Sequence, residues 1–129
     1  MAAAIDTNVL VRFLTGDDPA QAAVAADRIM QGFILLPTVL VETEWVLRAS
    51  YRWPRERIAA ALRDVIDLPE AFGQPATINW VIDRFAAGAD FADMMHVSMA
   101  AEADLFLTFD RRIEQIAGDS SPVAVMTLT

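Results

Sequence analysis

Residues 32–52 read GFILLPTVLVETEWVLRASYR. Four apolar residues stand between Gly32 and Pro37, and then Val39, Leu40, Val46 and Leu47 recur at helical spacing. A short unbroken apolar run between turn residues predicts a strand buried on both faces, as in a parallel sheet. Phe33–Leu36 is therefore read as a strand and Thr38–Arg52 as the helix that follows it. Toward the N-terminus, Ala2–Ile5 reads as a second buried strand closed by Asp6, with a helix over Val9–Leu14. Gly16-Asp17-Asp18-Pro19 is a C-cap glycine followed by the acids and proline of a new helix start, and Ala20–Met30 is that helix. Toward the C-terminus, Trp53-Pro54 breaks the chain and Arg55–Ile66 resumes as a helix. Glu70–Gln74, between Pro69 and Pro75, reads as a weak edge strand. Helices follow at Thr77–Ala87 and Phe91–Ala103, a strand at Leu105–Phe109, a short helix at Arg111–Ala117 and a last strand at Val123–Leu128. Strands alternating with helices of this length predict an α/β fold, a three-layer α/β/α sandwich around a mostly parallel central sheet. At 129 residues, of which 55% are hydrophobic, the chain is expected to form one domain over 1–129.

Composition removes several chemistries. There is no cysteine, so disulfides, thiolate metal sites and cysteine nucleophiles are excluded. All ten basic residues are arginines. Without lysine there is no P-loop and no Schiff-base enzyme. One histidine, His96, leaves little scope for a histidine-rich zinc centre. The longest uncharged stretch, Ile29–Val41, is 13 residues and is interrupted by Pro37. That is too short to span a bilayer, which needs about 18 residues or more. No basic stretch precedes the first apolar run, so no signal peptide is read, and a soluble, cytoplasmic protein with no membrane partner is expected. The net charge of −8 opposes general attraction to nucleic acid and favours a site for cations or a basic partner.

Ligands gather at the carboxyl ends of strands in open α/β sheets, and there the acids stand. Asp6 follows the first strand and Asp110 follows Leu105–Phe109. Each also suits a helix N-cap. Glu42 and Glu44 lie in an otherwise apolar helix. Arg48, four residues after Glu44, marks Glu44 as the paired structural acid and Glu42 as the functional one. Asp90 can cap the helix that begins near Phe91, whereas Asp93 precedes an apolar face and is harder to explain as a cap. His96, one turn further on, reads as an ordinary histidine with a possible supporting role toward a carboxylate. Asp6, Glu42, Asp93 and Asp110 thus form a set of four acids that a fold of this class would gather. Four carboxylates stay ionised at close quarters only around a cation. An all-oxygen donor set selects Mg²⁺ or Mn²⁺, a centre suited to phosphodiester chemistry.

Four motifs in order carry a resemblance: Asp6-Thr7-Asn8-Val9-Leu10-Val11-Arg12, Glu42-Thr43-Glu44-Trp45-Val46-Leu47, Asp90-Phe91-Ala92-Asp93 and Thr108-Phe109-Asp110-Arg111. Together they resemble a PIN-domain ribonuclease, in particular a VapC-like toxin of a type II toxin–antitoxin system. The resemblance implies an α/β/α sandwich and a Mg²⁺- or Mn²⁺-dependent endoribonuclease that hydrolyses RNA with metal-activated water. It also implies a homodimer and a cognate antitoxin protein. By resemblance Asp6, Glu42, Asp93 and Asp110 are the catalytic, metal-holding quartet. Asp90 is an accessory acid, and Asn8 and Thr108 orient the carboxylates. Met94-Met95-His96 departs from the smaller residues usual after the third acid. In so acidic a chain, RNA contact rests on local arginines, with Arg12, Arg48, Arg111 and Arg112 expected to serve. Alternative readings are another metal-dependent phosphatase or nuclease and a non-enzymatic α/β binding module. A dehalogenase-like phosphatase wants an aspartate where Asn8 stands, and a receiver domain wants a lysine.

Overall fold

The structure, a computed structural model, describes residues 3–129. The chain divides after Gln74 into two compact units, each with its own parallel strands. The first unit runs β1 (Ala3–Ala4), α1 (Thr7–Thr15), α2 (Pro19–Ile29), β2 (Phe33–Ile34), α3 (Pro37–Ala49), α4 (Arg55–Ile66) and β3 (Ala71–Phe72). Its sheet has the order β1-β2-β3, with Ala3 opposite Phe33 and Phe33 opposite Ala71. The second unit runs α5 (Ile78–Ala86), α6 (Phe91–Met99), β4 (Leu105–Thr108), α7 (Arg111–Ala117) and β5 (Ala124–Thr127). There β4 pairs with β5 in parallel, Leu105 opposite Ala124. Every ladder is parallel and every strand alternates with helix, so the fold class is α/β.

Local chemistry fixes the boundaries. Gly16, at φ 65°, ends α1, and its amide donates to the Arg12 carbonyl. Asp18 caps α2 by accepting from the Gln21 amide, with Pro19 in the first turn, where its missing N–H costs nothing. Gly73, at φ 89°, follows β3 where a Cβ would lie 2.8 Å from Ile34 Cγ2, so only glycine fits. In the first unit Leu10, Ile29, Leu35, Leu40, Leu47, Ile58 and Leu62 are wholly excluded from solvent. In the second, Phe85 meets Phe91 edge to face at 5.5 Å, bracing the turn between α5 and α6.

Several boundaries differ from the sequence reading: β3 is Ala71–Phe72 rather than Glu70–Gln74, β5 is Ala124–Thr127 rather than Val123–Leu128, and α1 begins at Thr7 rather than Val9, while Ala2 of the predicted first strand lies outside the described residues. The Phe33–Leu36 strand is shorter, Phe33–Ile34, although the Leu35 amide still donates to the Phe72 carbonyl at 2.6 Å. Helix α3 ends at Ala49, three residues before Arg52, which takes a left-handed φ of 56°. Helix α6 ends at Met99, four residues before Ala103. The amides of Ala100 and Ala101 donate to carbonyls three residues back. Residues 101–104 are exposed, so no buried face holds another turn. Among the described residues no helix is long and apolar enough to cross a membrane.

Candidate active site

In the first unit, Asp6 stands just past β1 and caps α1. Its Oδ1 accepts from the Thr7 amide at 2.8 Å, and the residue is exposed. Thr7 is buried, and its hydroxyl donates to Glu42 Oε1 on α3. One residue therefore touches both acids. Glu42 is exposed, while Glu44, two residues on, is buried at 3% and accepts from Arg48 Nε at 2.7 Å. The neighbouring glutamates thus face different surroundings, and only Glu42 joins Asp6. Asn8 is exposed and makes no side-chain hydrogen bond among the described residues. Asp6, Asn8 and Arg12 line one largely apolar groove of about 700 Å³ beside β1, α1 and α2.

Arg12 is held firmly. Its Nε donates to Gln21 at 2.9 Å, and its Nη1 donates to Asp17 at 3.2 Å and to the Tyr51 hydroxyl at 3.1 Å. Tyr51 in turn donates to Asp17 at 2.5 Å. That hydroxyl, with Thr15 and the Arg12 guanidinium, holds the Asp17 carboxyl below its ordinary value.

In the second unit, Asp90 caps α6 and accepts from the Asp93 amide at 3.0 Å. Asp93 is half-buried in the first helical turn. Burial pushes its carboxyl up, and the charges of Asp90 and Asp110 push the same way, opposed by His96 and Arg112. Asp110 follows β4 and caps α7 through the Arg112 amide at 2.9 Å. The Arg112 guanidinium grips it twice, at 3.1 and 3.0 Å, which lowers the acid and raises the arginine. Thr108 Oγ1 accepts from the Asp110 amide at 3.0 Å. Arg111 and His96 are exposed.

The first unit thus joins Asp6, Thr7 and Glu42. The second joins Asp90, Asp93 and Asp110, with Thr108 and Arg112 in support. Among the described residues no three His, Asp or Glu side chains are arranged to hold a metal ion. The donor chemistry nonetheless fits a hard cation: all the acids offer oxygen, and the burial and like charges around Asp93 outweigh His96 and Arg112. Two roles escaped the sequence reading. Thr7 orients Glu42, and its only advance signal was a hydroxyl beside a strand-end aspartate. Arg112, expected to meet RNA, is engaged with Asp110, as its position two residues past a capping acid allows.

The family model described as PIN domain matches residues 3–119. No curated protein and no solved structure matches the chain.

Proposed function

The chain belongs to the PIN-domain family, whose fold is that of metal-dependent nucleases, and on that premise we propose a Mg²⁺- or Mn²⁺-dependent endoribonuclease, the toxin of a toxin–antitoxin pair. The observation that supports this reading is the placement of acids at strand ends: Asp6 just past β1, with Thr7 bonded to both Asp6 and Glu42, and Asp110 just past β4. Clustered carboxylates are relieved by a cation.

We assign Asp6, Glu42, Asp93 and Asp110 to hold the ion. When bound, it would neutralise developing phosphoryl charge and acidify the attacking water. The chain's own residues prepare for this. The Thr7 amide fixes Asp6, and the Thr7 hydroxyl fixes Glu42, so neither carboxylate needs to reorganise. Asp90 sets the first turn of α6, which carries Asp93. Arg112 holds Asp110 ionised and in place. Arg12, Arg48, Arg111 and Arg112 are assigned to RNA phosphates; Arg111 is exposed, and Arg112, though bonded to Asp110, keeps 87% of its side chain exposed.

A homodimer fits the exposed apolar side chains, among them Val24 and Trp45 in the first unit and Phe109, 77% exposed, in the second. A basic antitoxin segment would complement the acidic chain, whose function we place in the cytoplasm.

Melting curves in EDTA and in Mn²⁺ test the metal centre. Ligation raises the melting temperature by linkage, and a melting temperature that ignores Mn²⁺ and Mg²⁺ contradicts it. Co-expression with the product of the adjacent reading frame tests the toxin role. A complex on gel filtration is expected, and its absence removes that role.

A further inference from the structure

Residues 48–57 read RASYRWPRER. Four of the chain's ten arginines fall in these ten positions, against one acid, Glu56. The segment is net positive by three in a chain that is net negative by eight. It forms the turn from α3 into α4, and three features of its geometry stand apart from simple charge.

Arg57 lies 3.9 Å over the Trp53 ring. A stacked guanidinium uses its face and keeps its N–H donors in the open plane, where a phosphate can be gripped by two of them. Arg52 is exposed and, at φ 56°, is the one non-glycine residue with positive φ among the described residues. Glycine or asparagine would meet that backbone demand at lower cost, so the arginine stands there against local preference. The segment is also tied to the acids. Thr7 at the start of α1 bonds Glu42 in the middle of α3, and Arg12 in the second half of α1 bonds Tyr51 just past the end of α3. The two helices therefore run side by side in the same direction, from acids to arginines. Glu42 and Ala49, the last residue of α3, are seven positions apart, about 10 Å at a helical rise of ~1.5 Å per residue.

We propose that the α3–α4 turn is a phosphate-gripping platform for single-stranded RNA, with Arg52 and Arg57 as its principal contacts. The proposal rests on the ribonuclease reading for the identity of its polyanion. It adds to the arginines already assigned to RNA a short, strongly positive segment on the helix that carries Glu42, within an otherwise acidic chain.

The test measures binding of a fluorescein-labelled single-stranded RNA of mixed sequence to the full chain, in EDTA, across a salt series. Variants are Arg52→Gly, Arg57→Ala and, as a control for net charge, Arg28→Ala on α2. Each platform variant should lose about one phosphate contact, reducing the salt slope by ~0.7 and raising Kd about five-fold near 0.1 M salt. Arg28→Ala should change Kd less than two-fold. Arg52→Gly should keep or raise the melting temperature, because glycine relieves the left-handed backbone, so lost binding cannot be ascribed to misfolding. Equal Kd and slope in wild type and both variants overturn the platform, as does an equal loss in the control. Competition by poly-L-glutamate as strong as by RNA also overturns it, assigning the surface to an acidic protein. Mn²⁺-dependent cleavage by the wild type is scored separately. Cleavage with unchanged variant binding refutes the platform alone, whereas platform-dependent binding without cleavage refutes the nuclease alone.

Discussion

The hydroxyl of buried Thr7 donates to the carboxylate of exposed Glu42, 35 residues away in sequence, while the Thr7 amide donates to Asp6. One threonine thereby sets the geometry of two acids on different helices. Thr7→Val keeps the shape and removes the donor. The loss of a hydrogen bond to a charged acceptor costs about 1.5–3 kcal/mol when buried. Glu42 is open to water, so about 1 kcal/mol is expected in melting. RNA cleavage should fall about ten-fold or more, as when a partner that orients a metal ligand is lost, and Thr7→Ser should recover most of it. Activity in Thr7→Val equal to wild type would show that Glu42 needs no such support.

Glu42 and Glu44 should respond in opposite ways. Glu44 is buried with Arg48 as its partner. Removing one side of a buried pair costs about 3–5 kcal/mol. Arg48 is 49% exposed and water replaces part of it, so Arg48→Ala should cost about 2 kcal/mol in urea unfolding, after that discount. Glu42→Gln should leave stability within about 0.5 kcal/mol, as for surface changes, yet abolish most cleavage. The reverse pattern would exchange the roles of the two glutamates.

The pH dependence of stability carries a separate signature. Asp93 is raised above its ordinary 3.8 by burial first and by Asp90 and Asp110 after it. Between 3.8 and its folded value the native state binds more protons than the unfolded chain. Its contribution is thus most favourable below 3.8 and is lost as pH rises through the folded value. Asp17, Asp110 and Glu114 are lowered, by Tyr51, Arg112 and Thr127 respectively, so their stability is present above ordinary values and lost as pH falls. Asp93→Asn should therefore match wild type in acid and exceed it at neutral pH in EDTA. Urea midpoints that differ by the same amount at every pH would contradict this.

Much of this arrangement was legible in the chain. Gly16, Pro19 and Gly32 punctuate the first three elements because each supplies a backbone geometry that other residues resist. Arg48 at one helical turn from Glu44 told the two glutamates apart. Where the reading overran, at Arg52 and Ala103, helix-forming residues continue but no buried face does, and burial is a tertiary fact. The Thr7–Glu42 bond was out of reach because it depends on two helices meeting side by side. The arginines of 48–57 were visible as residues, but their stacking on Trp53 and the left-handed Arg52 were not.

We assign Asp6 to hold a catalytic ion as well as to cap α1. Asparagine caps a helix as well as aspartate, so Asp6→Asn separates the two. The decisive measurement is Mn²⁺-dependent cleavage of a single-stranded RNA blocked at both ends, by wild type and Asp6→Asn, with melting curves in EDTA. Wild type should cut internally in Mn²⁺ and not in EDTA, and Asp6→Asn should be slower by about 100-fold or more with its metal-free melting temperature unchanged or raised. Full cleavage by Asp6→Asn would show that Asp6 only caps α1.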